Sequence, residues 1–485
     1  MKFSPLAAAL LLPSLLFSQR IEISAGAVDD QVFQRDDEGR ASIELTGTAL
    51  SLNGRAVEIR ATGKHGPLPG KDWTAAGKIA ANKWSAKIDL PTGGPYRLEV
   101  RANNITQSVN NILVGDLWVL AGQSNMEGVG DLVNVEPPNG LIHSFNQSDE
   151  WVLAEEPLHL LVGATDKVHW RRTKEGVAER YEGQRLMDYI ANRKKGAGLG
   201  LPFAAAMVRY TGVPIGLVPC AHGGTSMDQW NPALKDQAGD SLYGATIRRV
   251  KLLGGKVRGI LWYQGESDAS PKAAPVFQDK FEKLIEAFRS DFGQPDLPFY
   301  YVQIGRFVNY SNQDQWNAVQ QSQLQVESKL KRVGMVPAID LSLDDGIHVG
   351  TQDLKRLGKR LANLACFENF PRNSTCPQLF RGPRPGTAKF SGNVLRVAFH
   401  SVNGKLVSTG RISGFSIHDS NGTMLPAIFK AEVNPASPNE VLLYLNSPPP
   451  EGATLRYGAG KDPYVNVRDQ ADMAVPVFGP MPIER

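Results

Sequence analysis

The sequence predicts an α/β protein with a three-layer α/β/α core around a parallel sheet, flanked by N- and C-terminal β-sandwich domains. Two observations along the 485 residues carry this prediction. In the middle of the chain, unbroken apolar runs alternate with amphipathic stretches, which is typical of a parallel sheet covered on both faces. At both ends, short strand-like segments are separated by turn residues, as in small β-sandwiches.

The domain boundaries are predicted where this pattern of apolar runs, amphipathic stretches and turn residues changes. We expect an N-terminal β-sandwich over residues 19–111, an α/β domain over 112–370 and a C-terminal β-sandwich over 379–485. The segment 131–195 interrupts the alternation with polar residues, many of them Arg, Lys and Glu, and is predicted to be an insertion.

The core elements follow from hydrophobic periodicity. Apolar runs predict the strands of the core sheet at 117–121, 215–220, 260–263, 299–304 and 335–341. Amphipathic stretches predict helices at 202–210, 243–253, 276–292, 316–330 and 353–364.

The first residues have the pattern of a signal peptide. Lys2 precedes an apolar run over 6–17 that is too short to span a bilayer, and Ser18 supplies a small residue near its end. We expect a signal peptide over 1–18, cleaved near Ser18, and hence a secreted or periplasmic protein without membrane insertion. The alternative is a buried N-terminal strand or helix.

Charge and cysteine content restrict the partners. The net charge of +4 is small for this length, and without a dense basic tract the sequence predicts no nucleic-acid partner. The spacing of Cys366 and Cys376 suits a disulfide in an oxidising compartment, which would leave Cys220 as a buried thiol. The absence of a CxxC pair gives no support for a metal or redox site. The oligomeric state stays open.

Polar, glycine-containing clusters follow four of the five predicted strands, at 122–126, 222–226, 264–268 and 344–348. In an open α/β sheet, ligands gather beyond the carboxyl ends of the strands, so these clusters predict a common site. A serine after a strand is often only a helix cap, and an Asp-x-x-His pair only a turn. Together, however, the clusters contain every group that acyl transfer requires.

The requirements of acyl transfer assign a role to each cluster. Ser124 is the candidate nucleophile, and its own N–H can face the oxyanion if a helix begins there. A second N–H would come from Gly223 or Gly224, and a side-chain amide from Gln264.

Elimination indicates the base. Only His222 and His348 follow core strands, and only His348 has an acidic residue, Asp345, within three positions on its own loop. His222 is a reserve base or a substrate contact. Glu266 is either a solvated loop acid or a structural acceptor for loop amides.

The same clusters resemble a known family. LAGQSNM at 120–126 resembles the nucleophile block of the SGNH hydrolases, in the sialate O-acetylesterase-like branch of carbohydrate esterases. GGTSMDQW at 223–230 and WYQGESD at 262–268 are similar to its second and third blocks, and DGIH at 345–348 to the block that closes the triad. The resemblance implies an SGNH, flavodoxin-like fold, a metal-free serine mechanism without a cofactor, and deacetylation of acetylated carbohydrates.

Carried over by position, the resemblance implies roles for the same residues. It makes Ser124 the nucleophile, His348 the base and Asp345 its orienting carboxylate. The oxyanion hole would combine the Ser124 amide, a glycine of the Gly223-Gly224 pair and Gln264, because Ser267 and Asp268 stand where many SGNH enzymes have a donor Asn. Further candidates for substrate contact are Gln123, Asn125, His222, Trp230 and Glu266.

Two alternatives come from other functional classes. The chain would be a carbohydrate-binding protein on a degenerate SGNH scaffold if Trp170 or Trp230 were exposed and stacked on sugars while the serine was inert. It would be a lipase or thioesterase of the same superfamily if it preferred longer acyl groups. The insertion 131–195 departs from the compact pattern of the family and is expected to line the substrate cleft.

Overall fold

The structure is a computed structural model that describes residues 19–309, 311–370 and 375–485. It forms two compact units, one of residues 19–29 with 40–112 and one of residues 30–39 with 113–485. The predicted signal peptide lies outside the described residues. In the described part of the chain, no helix combines the length and apolar character needed to cross a bilayer.

The first unit consists of antiparallel strands. The strands from the start of the described chain to the core are β1 (Arg20–Ala25), β2 (Val32–Gln34), β3 (Arg40–Leu50), β4 (Ala56–Gly63), β5 (Gly66–Pro67), β6 (Thr74–Lys78), β7 (Lys83–Pro91), β8 (Gly93–Ala102) and β9 (Ile105–Gly122). Strand β3 pairs with β1 and β7, and β4 pairs with β5, β6 and β8. Alternate residues of β3 are buried, as expected of a sheet with one covered face. Strand β2 and residues 113–122 of β9 belong to the second unit.

In the second unit, strands and helices alternate. After β9, the strands of its α/β part are β10 (Gly130–Asp131), β11 (Ile142–Phe145), β12 (Trp151–Leu153), β13 (Arg171–Arg172), β14 (Ala178–Glu179), β15 (Lys195–Ala197), β16 (Ile215–Pro219), β17 (Gly259–Tyr263), β18 (Phe299–Gln303) and β19 (Val333–Pro337). The helices are α1 (Ser124–Glu127), α2 (Gly183–Ala191), α3 (Gly200–Thr211), α4 (Leu242–Leu252), α5 (Ala274–Asp291), α6 (Gln313–Lys329) and α7 (Thr351–Asn369). Each predicted core strand and helix overlaps one of these elements.

The central sheet has the order β12-β11-β16-β9-β17-β18-β19. Neighbours from β11 to β19 run parallel, whereas β12 runs antiparallel to β11 at the edge. The α/β fold is therefore confirmed, but the sheet is mixed. The reason is local, because only a short turn separates β11 from β12, and a short turn joins antiparallel strands only. The three-layer arrangement and the domain boundaries stay predictions.

Burial explains why the core strands read as continuous apolar runs. Residues 113–121 of β9 are fully buried, as are all residues of β16, β17, β18 and β19. Helix α3 contacts α7, and α5 contacts α6, so their apolar faces are covered. A strand buried on both faces has no polar side to interrupt its pattern.

The C-terminal region is rich in β-strands. They are β20 (Arg384–Ser391), β21 (Val394–His400), β22 (Leu406–Ser408), β23 (Phe415–His418), β24 (Met424–Leu425), β25 (Ile428–Val433), β26 (Glu440–Leu445), β27 (Thr454–Tyr457), β28 (Val467–Asp469) and β29 (Phe478–Pro482). Its apolar core also takes in Ile339, which follows β19. A disulfide joins Cys366 to Cys376, and Cys220 is a free, buried cysteine.

A buried ion pair ties the C-terminal region to the α/β core. The guanidinium of Arg384 on β20 contacts both carboxylate oxygens of Glu327 on α6, at 2.5 and 2.9 Å. Both residues also bind the backbone of Met335 on β19. Burial raises the pKa of Glu327, but Arg384 and then Arg381 outweigh it and hold the pKa below its usual value.

We expect Arg384→Met to lower the free energy of unfolding by about 3 kcal/mol, because it leaves the buried Glu327 carboxylate with the longer, 3.6 Å ion pair to Arg381 in place of its two close contacts. Urea unfolding at neutral pH measures the change. The matched control is Lys389→Met, whose exposed ion pair with Glu484 should contribute less than about 1 kcal/mol. Equal losses in the two variants would contradict the special role of the buried pair.

Candidate active site

Three neighbouring parallel strands end at one edge of the central sheet, and a predicted polar cluster follows each of them. Strand β9 lies between β16 and β17, with Gly122 opposite Tyr263. Because the carboxyl ends of parallel strands share an edge, this register brings together the segments 123–126, 220–226 and 264–268. The sequence therefore placed these clusters correctly relative to the sheet.

The chain turns sharply before Ser124. Gly122 has a φ of +133°, and a Cβ at this position would lie 2.2 Å from the carbonyl oxygen of Tyr263, so only glycine fits. The Gln123 N–H donates to the same carbonyl at 2.8 Å. Ser124 is partly exposed and begins α1, so its N–H lies in the first turn of a helix, where it has no intrahelical acceptor.

Asp345 and His348 are in direct contact. The Nδ1 of His348 lies 2.7 Å from Oδ2 of Asp345, and Oδ1 accepts the N–H groups of Ile347 and His348 at 2.9 and 2.8 Å. Burial raises the pKa of Asp345, but these bonds outweigh it and lower the pKa to about 2. Asp345 is therefore ionised at neutral pH, and it orients the imidazole through Nδ1, so that Nε2 is the ring nitrogen on the opposite side from the carboxylate.

The loop that carries this pair is anchored from the C-terminal side of the chain. The Val308 N–H donates to the carbonyl of Gly346, between Asp345 and His348, at 2.8 Å. The adjacent Phe307 N–H donates to the carbonyl of Lys461, also at 2.8 Å. Two consecutive backbone bonds thus connect the C-terminal region to the Asp345–His348 loop.

Asn125 joins the Ser124 turn to the same loop. Its Nδ2 donates to Oε1 of Glu266 at 3.0 Å and to the carbonyl of Ile347 at 3.4 Å, and its Oδ1 accepts the Val349 N–H at 3.0 Å. The side chain is only 2% exposed. We expected Asn125 to contact substrate, but its burial and complete set of partners identify it as a connector between loops.

Glu266 and Gln123 also lie inward. Oε1 of Glu266 accepts the Asn125 amide, and Oε2 is buried without a hydrogen-bond partner in the described part of the chain. Burial raises the pKa of Glu266, partly offset by Asn125 and His348. Gln123 is buried, and its Oε1 accepts the Ser267 N–H at 3.3 Å. Of the two sequence-based alternatives for Glu266, structural acceptor fits this environment and solvated acid does not.

Gln264 holds the second cluster in place. Its Nε2 donates to the carbonyl of Thr225 at 3.1 Å and to Oδ2 of Asp268 at 2.5 Å, and the side chain is fully buried. Asp268 also accepts the Met227 N–H at 3.0 Å. A primary amide has two N–H groups, and both are engaged here. This arrangement corrects the expected role of Gln264 as an oxyanion donor.

Trp230 is fully buried, so the expected sugar contact at this residue is wrong. Its indole N–H donates to Oγ1 of Thr225 at 3.0 Å, and its ring packs edge-on against Trp262 at a centroid distance of 5.0 Å. Trp170, in contrast, is half-buried and lines the adjacent cavity.

His222 has a histidine rather than a carboxylate as its neighbour. Its Nδ1 lies 3.2 Å from Nδ1 of His169, and burial lowers the pKa of both imidazoles, that of His169 well below its usual value. Among the described residues, no three His, Cys, Asp or Glu side chains are grouped to hold a metal ion. The pairing leaves His222 less suited than His348 to serve as a base.

A cavity of about 710 Å³ adjoins the strand ends. The α/β core contributes Glu127, His222 and Thr225 to its wall. The insertion contributes most of its basic and aromatic lining, namely Lys167, Trp170, Arg171, Arg172, Tyr189 and Arg193. The insertion therefore lines a cavity next to the predicted site, and that this cavity is the substrate cleft stays a prediction.

Sequence reasoning missed Glu127, the last residue of α1. Its Oε2 accepts the Gly223 N–H at 2.8 Å. Burial raises the pKa of Glu127, and the Gly223 N–H, Arg193 and His348 act against that rise. Its spacing from Ser124 could have indicated a role, since a residue three positions later in the same helix lies on the same face as Ser124. Its partner, however, is distant in sequence.

Comparisons with known proteins identify the family of the chain. The model of a family described as "Carbohydrate esterase, sialic acid-specific acetylesterase" matches residues 114–366, just over half of the chain. A probable carbohydrate esterase of Arabidopsis thaliana is 29% identical over 277 residues, which are 52% of this chain and 91% of that protein. The sialate O-acetylesterase of Homo sapiens is 25% identical over 271 residues, which are 49% of each chain.

A solved structure covers nearly the whole chain. A carbohydrate acetylesterase from Xanthomonas citri has a TM-score of 0.64 and 23% identity, and the match covers 95% of this chain and 99% of that one. At this identity the likeness bears on the fold alone. The chain spans about half the length of the sialate O-acetylesterases that it matches. With more than half of its length matched by the family model, the chain belongs to the sialic acid-specific acetylesterase family of carbohydrate esterases, and it is a carboxylic ester hydrolase.

Proposed function

We propose that the chain removes O-acetyl groups from carbohydrates through an acyl-enzyme on Ser124, with His348 as base and Asp345 as its orienting carboxylate. The observation that carries the proposal is the link made by Asn125. This residue follows Ser124 directly, and it binds the backbone on both sides of His348, whose ring is held at 2.7 Å by Asp345. The nucleophile turn and the base loop are thereby fixed to each other.

The chemistry follows from these groups. Nε2 of His348 takes the Ser124 hydroxyl proton as Oγ attacks the acetyl carbonyl carbon, and the ionised Asp345 stabilises the imidazolium. The tetrahedral intermediate collapses, the C–O bond to the sugar breaks, and His348 returns the proton to the sugar oxygen. Water then attacks the acetyl-enzyme with the same base, which releases acetate and restores Ser124.

The proposed oxyanion hole uses backbone groups. The Ser124 N–H, in the first turn of α1, is one donor, and the Gly223-Gly224 pair supplies the other. Gln264 is left out because both N–H groups of its amide bind Thr225 and Asp268.

The cavity beside the site suits an acidic sugar. Four basic side chains line it, against the two carboxylates of Glu127 and Asp240. Asp240 is within 3.6 Å of Lys167, whereas the exposed guanidinium groups of Arg171 and Arg172 donate to neutral groups, the Tyr181 hydroxyl and the Gly176 carbonyl. A charged, polar lining favours an acetylated sugar such as a sialate over a long acyl chain.

The proposal extends to architecture and location. It includes the three-layer SGNH-type core over 112–370, flanking β-sandwiches over 19–111 and 379–485, and export directed by residues 1–18. The mutual contacts of α3 with α7 and of α5 with α6 support two helical layers. Sequencing the N-terminus of the exported protein tests cleavage near Ser18.

We expect Ser124→Ala to keep the thermal midpoint and to lower kcat for acetate release from p-nitrophenyl acetate at least about 1000-fold, because the nucleophile is lost. The exposed Ser447→Ala serves as the matched control. A fluorophosphonate should label the wild type at Ser124 and leave the variant unlabelled. Full activity in the variant would reject the mechanism, and an inert wild type would favour a carbohydrate-binding protein.

We expect Arg171→Met to raise KM for an O-acetylated sialic acid about 10-fold, which corresponds to the loss of one charge-assisted hydrogen bond. Neutral p-nitrophenyl acetate should be hydrolysed with KM within about 2-fold of wild type, since it has no carboxylate to bind. Arg209→Met, at an exposed arginine outside the cavity lining, is the control. A parallel rise in KM for both substrates would contradict recognition of an acidic sugar by Arg171. A rate that grows with acyl length would indicate a lipase or thioesterase instead.

A further inference from the structure

Glu127 holds the backbone of the glycine pair next to the nucleophile. It ends the short helix that Ser124 begins, and its Oε2 accepts the Gly223 N–H at 2.8 Å. Its side chain also lines the cavity beside the site. No sequence pattern assigned a role to this residue, and it is not itself a member of the triad or a donor of the backbone oxyanion hole.

Gly223 is confined between this carboxylate and the nucleophile. A Cβ on Gly223 would lie 3.1 Å from Oε2 of Glu127 and 3.3 Å from Cβ of Ser124. The backbone therefore passes both groups at close range. The direction of the peptide between His222 and Gly223 is set by the acceptor that its N–H binds.

This bond has a consequence for the oxyanion hole. An N–H that already donates to a carboxylate at 2.8 Å is not a free donor for a second anion. The next N–H along the chain belongs to Gly224, which has a φ of +69° and open space around its Cβ position. That conformation favours glycine, and it lets a carbonyl group approach without a steric clash.

We propose that Glu127 is a positioning residue of the esterase site. By accepting the Gly223 N–H, it orients the 222–224 backbone against Ser124, so that Gly224 supplies the second N–H of the oxyanion hole. This inference rests on the proposed function, since it assigns a role within that hole. Glu127 acts through the backbone and needs no contact with the substrate.

The charge of Glu127 must be separated from its hydrogen bond in any test. His348 and Arg193 are both close enough to lower its pKa, so removal of the carboxylate also changes the electrostatics of the site. Glu127→Gln removes the charge but keeps a carbonyl oxygen as acceptor, whereas Glu127→Ala removes both. The exposed Glu451→Ala controls for loss of a carboxylate elsewhere.

The experiment compares these variants in the full chain. Steady-state hydrolysis of p-nitrophenyl acetate should show kcat about 10- to 100-fold lower in Glu127→Ala, with KM within about 2-fold, because a misplaced donor affects the transition state more than binding. Glu127→Gln should stay within about 3-fold of wild type. Amide hydrogen exchange over residues 221–226 should quicken about 10-fold in the alanine variant and remain slow in the glutamine variant.

Three results would overturn the proposal. They are unchanged kcat in Glu127→Ala, failure of glutamine to restore kcat, and unchanged exchange over 221–226 in the alanine variant. If the alanine variant does not fold, Glu127→Leu replaces it, since leucine fills the volume without an acceptor. Failure of the proposed function is recognised separately, by acetate release that is equal in wild type and Ser124→Ala. Exchange over 221–226 then still decides whether Glu127 holds the glycine backbone.

Discussion

The hydrogen bonds of the Asn125 side chain are the constraint on which the rest of the site depends. One amide group, buried where water cannot replace its partners, connects the turn after β9, the Glu266 loop and the backbone around His348. Each of these segments follows a different strand, so the sheet alone brings them near but does not fix their distances. The sheet brings the loops close together, and the hydrogen bonds of Asn125 hold them at fixed distances from one another.

The elements of the core were predictable because their physical cause is local. Strands such as β16 and β17 are buried on both faces, and so they read as unbroken apolar runs. The antiparallel edge strand β12 was not predicted, since a three-residue strand inside a polar insertion carries no such pattern. The cluster that contains Asp345 and His348 was equally predictable from the sequence, because the two residues lie three positions apart on one loop and contact each other directly.

The roles of individual polar residues were harder to predict, because they depend on partners far away in the chain. The sequence showed an amide at Gln264, but it did not show that the N–H groups of this amide donate to Thr225 and Asp268. Trp230 could be exposed or buried until its packing against Trp262 was known. Residue type and spacing define what a side chain can do, whereas burial and competing partners determine what it does.

The two backbone bonds that run from Lys461 through Phe307 and Val308 to Gly346 bear on how this enzyme can be divided. The family match ends at residue 366. The loop that carries the imidazole is nevertheless connected, through Phe307 and Val308, to Lys461, which lies well beyond that end. The buried Arg384–Glu327 pair crosses the same boundary. A minimal esterase cut from this chain at the edge of the family match would lose a backbone support of the Asp345–His348 loop, so we expect the proposed activity to need the C-terminal β-rich region as well.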